Sequence, residues 1–224
     1  MIYIYCTCIN ETQWSEIHTQ VNILNITDQK AIAQYKFDKD KCRSLIGKML
    51  LLYILKHHES YHSNQLPPIT YTTYRKPFIS TMQGYFNISH AADWVVCAYT
   101  QEGDLGVDIE KAHSIDIHDY KAVMTPNEYL RATHHNNFDF FQLWTLKEAI
   151  MKAEGLGFYL TPTSFEIPHP FSNNTNIHIN KDWFLFSQCF KQHYTLSIAS
   201  SCLLNEQPQV IIQPIDQLLV SSKT

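Results

Sequence analysis

Asp108 and Glu110 stand two apart in the apolar stretch Asp104-Leu105-Gly106-Val107-Asp108-Ile109-Glu110. Glu148 and Lys152 stand four apart in Trp144-Thr145-Leu146-Lys147-Glu148-Ala149-Ile150-Met151-Lys152. On a strand, residues two apart leave the same face, so both carboxylates point one way while Leu105, Val107 and Ile109 point into a core. In the second segment Phe141, Trp144, Ala149 and Met151 fall at helical intervals, which puts Glu148 and Lys152 on one helical face. Carboxylate oxygens are the hard ligands that Mg2+ prefers, and that ion leaves positions open for water and substrate phosphates. Three acids gathered without a cation repel one another and rise in pKa, so a metal and a polyphosphate make sense of them. Either pair alone reads equally well as a solvated strand end or as a helix-stabilising couple.

The elements that must position these residues can be read along the chain. Met1-Ile2-Tyr3-Ile4-Tyr5-Cys6 alternates like a first strand and lacks the basic start and cleavage site of a signal peptide. Cys42, Leu45, Ile46, Met49, Leu52 and Tyr53 recur at helical spacing, predicting a long amphipathic helix over 39–57 with Asp38 as its cap. Short β-type runs follow at 69–74, 85–88 and 94–100, with a hairpin among them, and another opens at Gly103. Thr125-Pro126-Asn127-Glu128 is a capping box with proline at the first helical position, so a helix runs to about residue 134. A longer one spans 138–153 and ends at Gly155 and Gly157; strands are predicted at 164–167, 177–179, 183–189 and 194–200. The order is repeated once, which predicts an α+β fold of two similar halves, residues 1–102 and 103–224. Each is a small antiparallel sheet packed with a long helix, the two being related by a pseudo-twofold axis with a cleft between them.

Composition narrows the class. A chain of 224 residues that is 45% hydrophobic can bury a full core. A net charge of -4 with a pI near 6.3 argues against nucleic acid held by an overall basic field. The longest apolar run, Met49 to Leu55, is far short of a membrane span. The six cysteines form no C-x-x-C pair and read as reduced core residues, which with the plain N-terminus predicts a cytoplasmic protein. The twelve histidines lack zinc-site spacing and read as surface residues, with His90 set apart by its neighbours.

Three further segments place a polar group beside an apolar anchor: Arg43-Ser44-Leu45-Ile46-Gly47, Arg75-Lys76-Pro77-Phe78 and Phe86-Asn87-Ile88-Ser89-His90. In order and spacing, these and the two acidic segments resemble the 4'-phosphopantetheinyl transferases, specifically the long pseudo-dimeric type that activates surfactin-synthetase-like systems. The resemblance runs from about residue 35 to 200.

It implies an enzyme that moves the phosphopantetheine arm of coenzyme A onto a serine of an apo acyl or peptidyl carrier protein and releases 3',5'-ADP, with Mg2+ at the pyrophosphate. By position, Asp108, Glu110 and Glu148 match the family's metal-binding acids and Lys152 its pyrophosphate-side lysine. Arg43, Lys76, Ser89 and His90 match the groups that hold the nucleotide end, and forked guanidinium, ammonium and imidazole chemistry suits a phosphate. Glu148 is the candidate general base, acting directly or through a metal-bound water, and Lys152 would stabilise the departing oxygen. The chain departs from the pattern at Ala91-Ala92-Asp93, where relatives carry a hydroxyl and a basic residue, and at Leu156, where they commonly carry lysine.

Ile115, Ile117 and Tyr120 form an apolar face in a polar segment suited to a helix of the carrier, with Lys111 and Lys121 as local partners. A monomer is expected, since both halves lie on one chain. Fatty acid, polyketide and nonribosomal peptide carriers all stay open as partners, the long type being more often associated with the last two or with broad specificity. Two other readings stand beside it: a non-catalytic coenzyme A-binding or carrier-binding module, and a Mg2+-dependent hydrolase of coenzyme A pyrophosphates.

Overall fold

Residues 1–135 and 138–220 are described in the computed structural model, so the last four residues of the expected second half lie outside the described residues. Strand β1 (Ile2–Cys8) leads through the short helices α1 (Trp14–Ile17) and α2 (Ile26–Ala33) to the long helix α3 (Asp38–His58). A two-stranded ribbon of β2 (Thr70–Tyr71) and β3 (Pro77–Phe78) precedes the hairpin of β4 (Tyr85–Ala91) and β5 (Trp94–Thr100). The second half runs β6 (Leu105–Lys111), α4 (Pro126–His134), α5 (Phe140–Glu154), β7 (Thr175–His178), β8 (Asp182–Phe190) and β9 (Tyr194–Ser200), and β10 (Gln209–Ile212) follows.

Two four-stranded sheets result, ordered β10-β1-β5-β4 and β6-β9-β8-β7. This is the expected α+β architecture of two halves, each with a sheet and a long helix, with one difference. β10 crosses the expected boundary to pair with β1, and that pair is parallel, Tyr3 lying opposite Gln209. The alternation in β5 and β6 explains why the halves adhere. Val96 and Ala98 of β5 and Leu105, Val107 and Ile109 of β6 are buried in one core shared by both sheets. The opposite faces pack against α3 in one half and α5 in the other.

Local chemistry sets the helix boundaries. Thr125 Oγ1 accepts from the Glu128 amide while Glu128 returns a carboxylate to the Thr125 amide, the reciprocal cap expected of that segment. Asp38 is the first helical residue rather than the cap, a place taken by Phe37, because its carboxylate pairs with Lys41 one turn on at 2.8 Å. The strand expected at 164–167 is a 3-10 turn (Pro162–Ser164) followed by extended chain. The Lys147 ammonium draws in the carbonyls of Pro162 and Phe165 at 2.5 and 2.8 Å, which denies that segment a sheet partner. Of the cysteines, Cys6, Cys42 and Cys97 are buried as expected, but Cys8 and Cys189 are exposed and Cys202 is half-buried, each lying toward an end of its apolar run. No helix among the described residues is long and apolar enough to cross a membrane.

Candidate active site

β4 and β6 are the edge strands at which the two sheets meet, and they carry the first site residues into contact. Asn87 of β4 accepts the Val107 amide at 3.0 Å, so an edge amide of β6 is satisfied by a side chain from the other half. Two residues further along β4, Ser89 points the same way and donates its hydroxyl to Asp108 Oδ1 at 2.8 Å.

α5 closes the site from the other side, and Gly106 lets it do so. A Cβ at Gly106 would lie 2.0 Å from the Ala149 carbonyl oxygen and 2.5 Å from the Ala153 nitrogen, both backbone atoms of the helix. With the helix pressed this close, Lys152 reaches across to Asp108 Oδ1 at 2.6 Å and Ser89 Oγ at 3.0 Å. Its own turn places Glu148 4.0 Å from the same ammonium.

Asp108 is only 4% exposed, and its second oxygen, Oδ2, is buried with no hydrogen-bond partner among the described residues. Burial, then the charge of Asp108, pushes the Glu110 carboxyl up to about 7, against opposing pulls from Lys152 and Trp144. Burial likewise raises the Glu148 carboxyl, which Lys152 partly offsets. Among the described residues no three acidic, histidine or cysteine side chains are gathered tightly enough to enclose a metal ion. The donor set nevertheless fits a divalent cation. It offers a buried acceptor with nothing to bond and two neighbouring carboxyls whose raised pKa values a positive charge would relieve.

The expected nucleotide-binding residues separate into two places. Arg43 of α3 and His90 of β4 lie near each other: burial first, then the charges of Arg43 and Lys152, hold the His90 imidazole below its usual pKa although its surface is open to solvent. The Arg43 guanidinium donates to the Ala92 carbonyl through Nε and Nη2 at 3.0 and 2.7 Å and to Asp40 through Nη1 at 2.6 Å. Asp93, one of the departures from the resemblance, is occupied by Lys39 at 2.8 Å, and that bond holds its carboxyl below the usual range. Lys76 lies elsewhere, at the C-terminal end of α5, donating to the Ala153 carbonyl at 2.6 Å and to Asp104 at 2.8 Å. Gly155, in the left-handed region at φ 75°, clears its path, since a Cβ there would sit 2.8 Å from Lys76 Cδ. Leu156 follows as a half-buried residue packed against the core of the second half. Ile115, Ile117 and Tyr120 are half-buried on the same core, the Tyr120 ring lying tilted against Phe140 with centroids 4.5 Å apart.

Sequence reasoning gave no role to Asn87, Gly106 or Lys147. A glycine inside a strand pattern is itself a sign of close backbone approach, and a polar residue in an apolar strand asks for a partner. Lys147 left no such sign: it is wholly buried with Glu128 2.8 Å away, and Glu128 also accepts the Ile167 amide. That knot fastens α4 and the 162–167 turn to α5 one residue from Glu148.

Two sheets meeting at edge strands, with a lysine and three acids at the junction and further cations to either side, define an α+β protein suited to a phosphate-bearing substrate. Residues 104–206 match the family model of the 4'-phosphopantetheinyl transferase superfamily, and residues 11–102 match that of the 4'-phosphopantetheinyl transferase N-terminal region. The chain belongs to the 4'-phosphopantetheinyl transferase superfamily. It is similar to the 4'-phosphopantetheinyl transferase gsp of Aneurinibacillus migulanus, 37% identical over 144 residues that cover 62% of this chain and 59% of the relative. It is also similar to the 4'-phosphopantetheinyl transferase Sfp of Bacillus subtilis (strain 168), 31% identical over 134 residues covering 58% of this chain and 59% of that protein. The 4'-phosphopantetheinyl transferase ffp of Bacillus subtilis is 33% identical over 135 residues. The chain thus spans 59% of the length of these relatives.

Proposed function

We propose that the protein transfers the 4'-phosphopantetheine arm of coenzyme A to a serine of an apo carrier protein. The observation that carries this reading is the junction of Ser89, Asp108 and Lys152, where both halves and α5 converge on one carboxylate with an unpartnered oxygen. In the transfer, the serine oxygen bonds to the phosphorus that bears pantetheine, the phosphoanhydride bond to the nucleotide breaks, and 3',5'-ADP departs.

Glu148 takes the serine proton on its carboxylate, a task suited to an acid raised above its ordinary pKa by burial. The Lys152 ammonium turns toward the oxygen that leaves with the nucleotide and offsets its growing charge. Asp108, Glu110 and Glu148 would hold Mg2+, which when bound supplies positive charge to the pyrophosphate. Arg43, Ser89 and His90 orient the nucleotide from one side and Lys76 from the other; Arg43 and Lys76 each keep an N–H for phosphate oxygens, and Ser89 would turn its one O–H from Asp108 to a phosphate oxygen. Ile115, Ile117 and Tyr120, with Lys111 and Lys121 beside them, offer their half-exposed edges to a carrier helix. Following the resemblance of its motifs, we take its partner to be a carrier of the polyketide or nonribosomal peptide kind, and we place the enzyme in the cytoplasm as a monomer without nucleic-acid or membrane partners.

Asp108→Ala and Glu148→Ala should each abolish loading of an apo carrier while the circular dichroism and melting transition of the fold persist. Transfer surviving both changes would move the site elsewhere, and rapid 3',5'-ADP release with no carrier present would mark a hydrolase instead.

A further inference from the structure

Lys76 and Asp104 are the charged residues lining a cavity of about 340 Å³ whose other walls combine apolar side chains, Phe78, Met82 and Phe86 among them, with the polar Thr72, Ser80 and Gln83. The polar end has an unusual charge balance. Lys76 gives one N–H to Asp104 Oδ1 at 2.8 Å and another to the Ala153 carbonyl at 2.6 Å, which leaves a third for a ligand. A lysine paired one-to-one with an aspartate is nevertheless a neutral group and attracts an anion weakly. Here Lys181, in the turn that joins β7 to β8, bonds the other oxygen of the same carboxylate. Burial works to raise the Asp104 carboxyl, and the two lysines outweigh it and hold it below the usual range. The trio therefore carries one net positive charge, with Lys76 fixed by two acceptors at the cavity.

We propose that Lys181 is a substrate-positioning residue. By neutralising Asp104 from behind, it lets Asp104 orient Lys76 without cancelling the charge that Lys76 offers to a phosphate of the bound nucleotide. The inference rests on the reading of the protein as a coenzyme A-dependent transferase and adds to it a residue that touches neither the substrate nor the acids of the site. The Lys181 ammonium also lies over the Trp183 ring at 4.9 Å, and Trp183 is fixed through its indole N–H to Glu154 at 2.6 Å, so its position is set by packing and not by the carboxylate alone.

Lys181 is 45% exposed, so water and salt moderate its effect. Lys181→Met should raise the dissociation constant for coenzyme A, measured by calorimetry, about three- to ten-fold at low salt, with the gap narrowing at high salt. In the transfer assay the change should fall on KM for coenzyme A, leaving kcat and KM for the carrier as in the wild type. Lys181→Arg should restore binding, and the melting temperature should hold in both variants. Wild-type affinity in Lys181→Met would overturn the proposal, as would a loss that Lys181→Arg shares together with a lowered melting temperature, since that pattern marks a purely structural role. A wild-type protein that neither binds coenzyme A nor loads a carrier would refute the underlying function and this inference with it, whereas an active wild type with an unaffected Lys181→Met refutes the inference alone.

Discussion

Gly106→Ala is a one-carbon change that tests how the acidic strand and the lysine helix are brought into register. The new Cβ would stand 2.0 Å from the Ala149 oxygen and 2.9 Å from the Ala153 Cβ, where ordinary contact begins near 3.4 Å, so α5 must retreat from β6 by roughly 1.4 Å. Nothing flexible stands in the way to absorb the shift, because the nearest atoms are helix backbone. Overpacking of this kind costs about 1–3 kcal/mol, which for a chain of this length lowers the melting temperature by about 2–12 °C. Function should suffer more than stability. The retreat carries Lys152 away from Asp108, now 2.6 Å distant, and displacements near 1 Å at a reacting centre cost on the order of 100-fold in rate. Calorimetric melting and a carrier-loading assay measure the two effects side by side. Gly47→Ala is the matched control: its Cβ meets the Ile88 side chain at 3.0 Å, which can yield, and alanine improves helix propensity by about 1 kcal/mol, so stability and rate should stay near wild type. A Gly106→Ala protein with unchanged melting and unchanged loading would refute the account of how α5 is seated.

Lys147→Met should cost about 3–5 kcal/mol in urea denaturation, because it strands the Glu128 charge in a fully buried position; adding Glu128→Gln, which removes the charge and keeps an acceptor for the buried amides, should recover part of the loss, and a mild single variant would contradict the pairing. Arg75 occupies the left-handed region at φ 69° in the β2–β3 turn, so Arg75→Gly should stabilise the fold by roughly 1 kcal/mol; destabilisation would show that its side chain holds the turn. Burial alone would raise the Glu166 carboxyl, but bonds from Arg131, Asn127 and Thr125 outweigh it and hold its pKa below the ordinary 4.5. The linked stability is present above that value and drains away as pH falls through the lower folded pKa, so melting temperature should drop in that acid window less steeply for Glu166→Gln than for wild type, and equal slopes would exclude the linkage.

The parts of the fold legible in the sequence were those whose signal is local. β5 and β9 coincide with their predicted limits because runs such as Val95-Val96-Cys97-Ala98 and Leu196-Ser197-Ile198-Ala199 are buried on both faces and bounded by turn residues. The capping box of α4 states its own first turn. What escaped depends on partners distant in the chain. β10 exists through β1, some two hundred residues earlier, and the 162–167 turn exists through one buried lysine. In the site, the spacing of Asp108, Glu148 and Lys152 held because strand and helix periods are fixed, and Ser89 joined them because β4 and β6 meet in register. Lys76 shows the opposite case: its motif gave a phosphate-facing lysine but no hint of Asp104 or Lys181, whose side chains meet it only after both halves have folded.

The central claim is that the two halves make one phosphopantetheine-transferring site. Purified protein, coenzyme A and Mg2+ are mixed with a panel of apo carrier proteins and each carrier is weighed by intact mass spectrometry. The account predicts that at least one carrier gains the mass of a single phosphopantetheine arm at its serine, in step with 3',5'-ADP release, and that Lys152→Met prevents the gain. Carriers of unchanged mass across the panel, from a protein that binds coenzyme A, would contradict it.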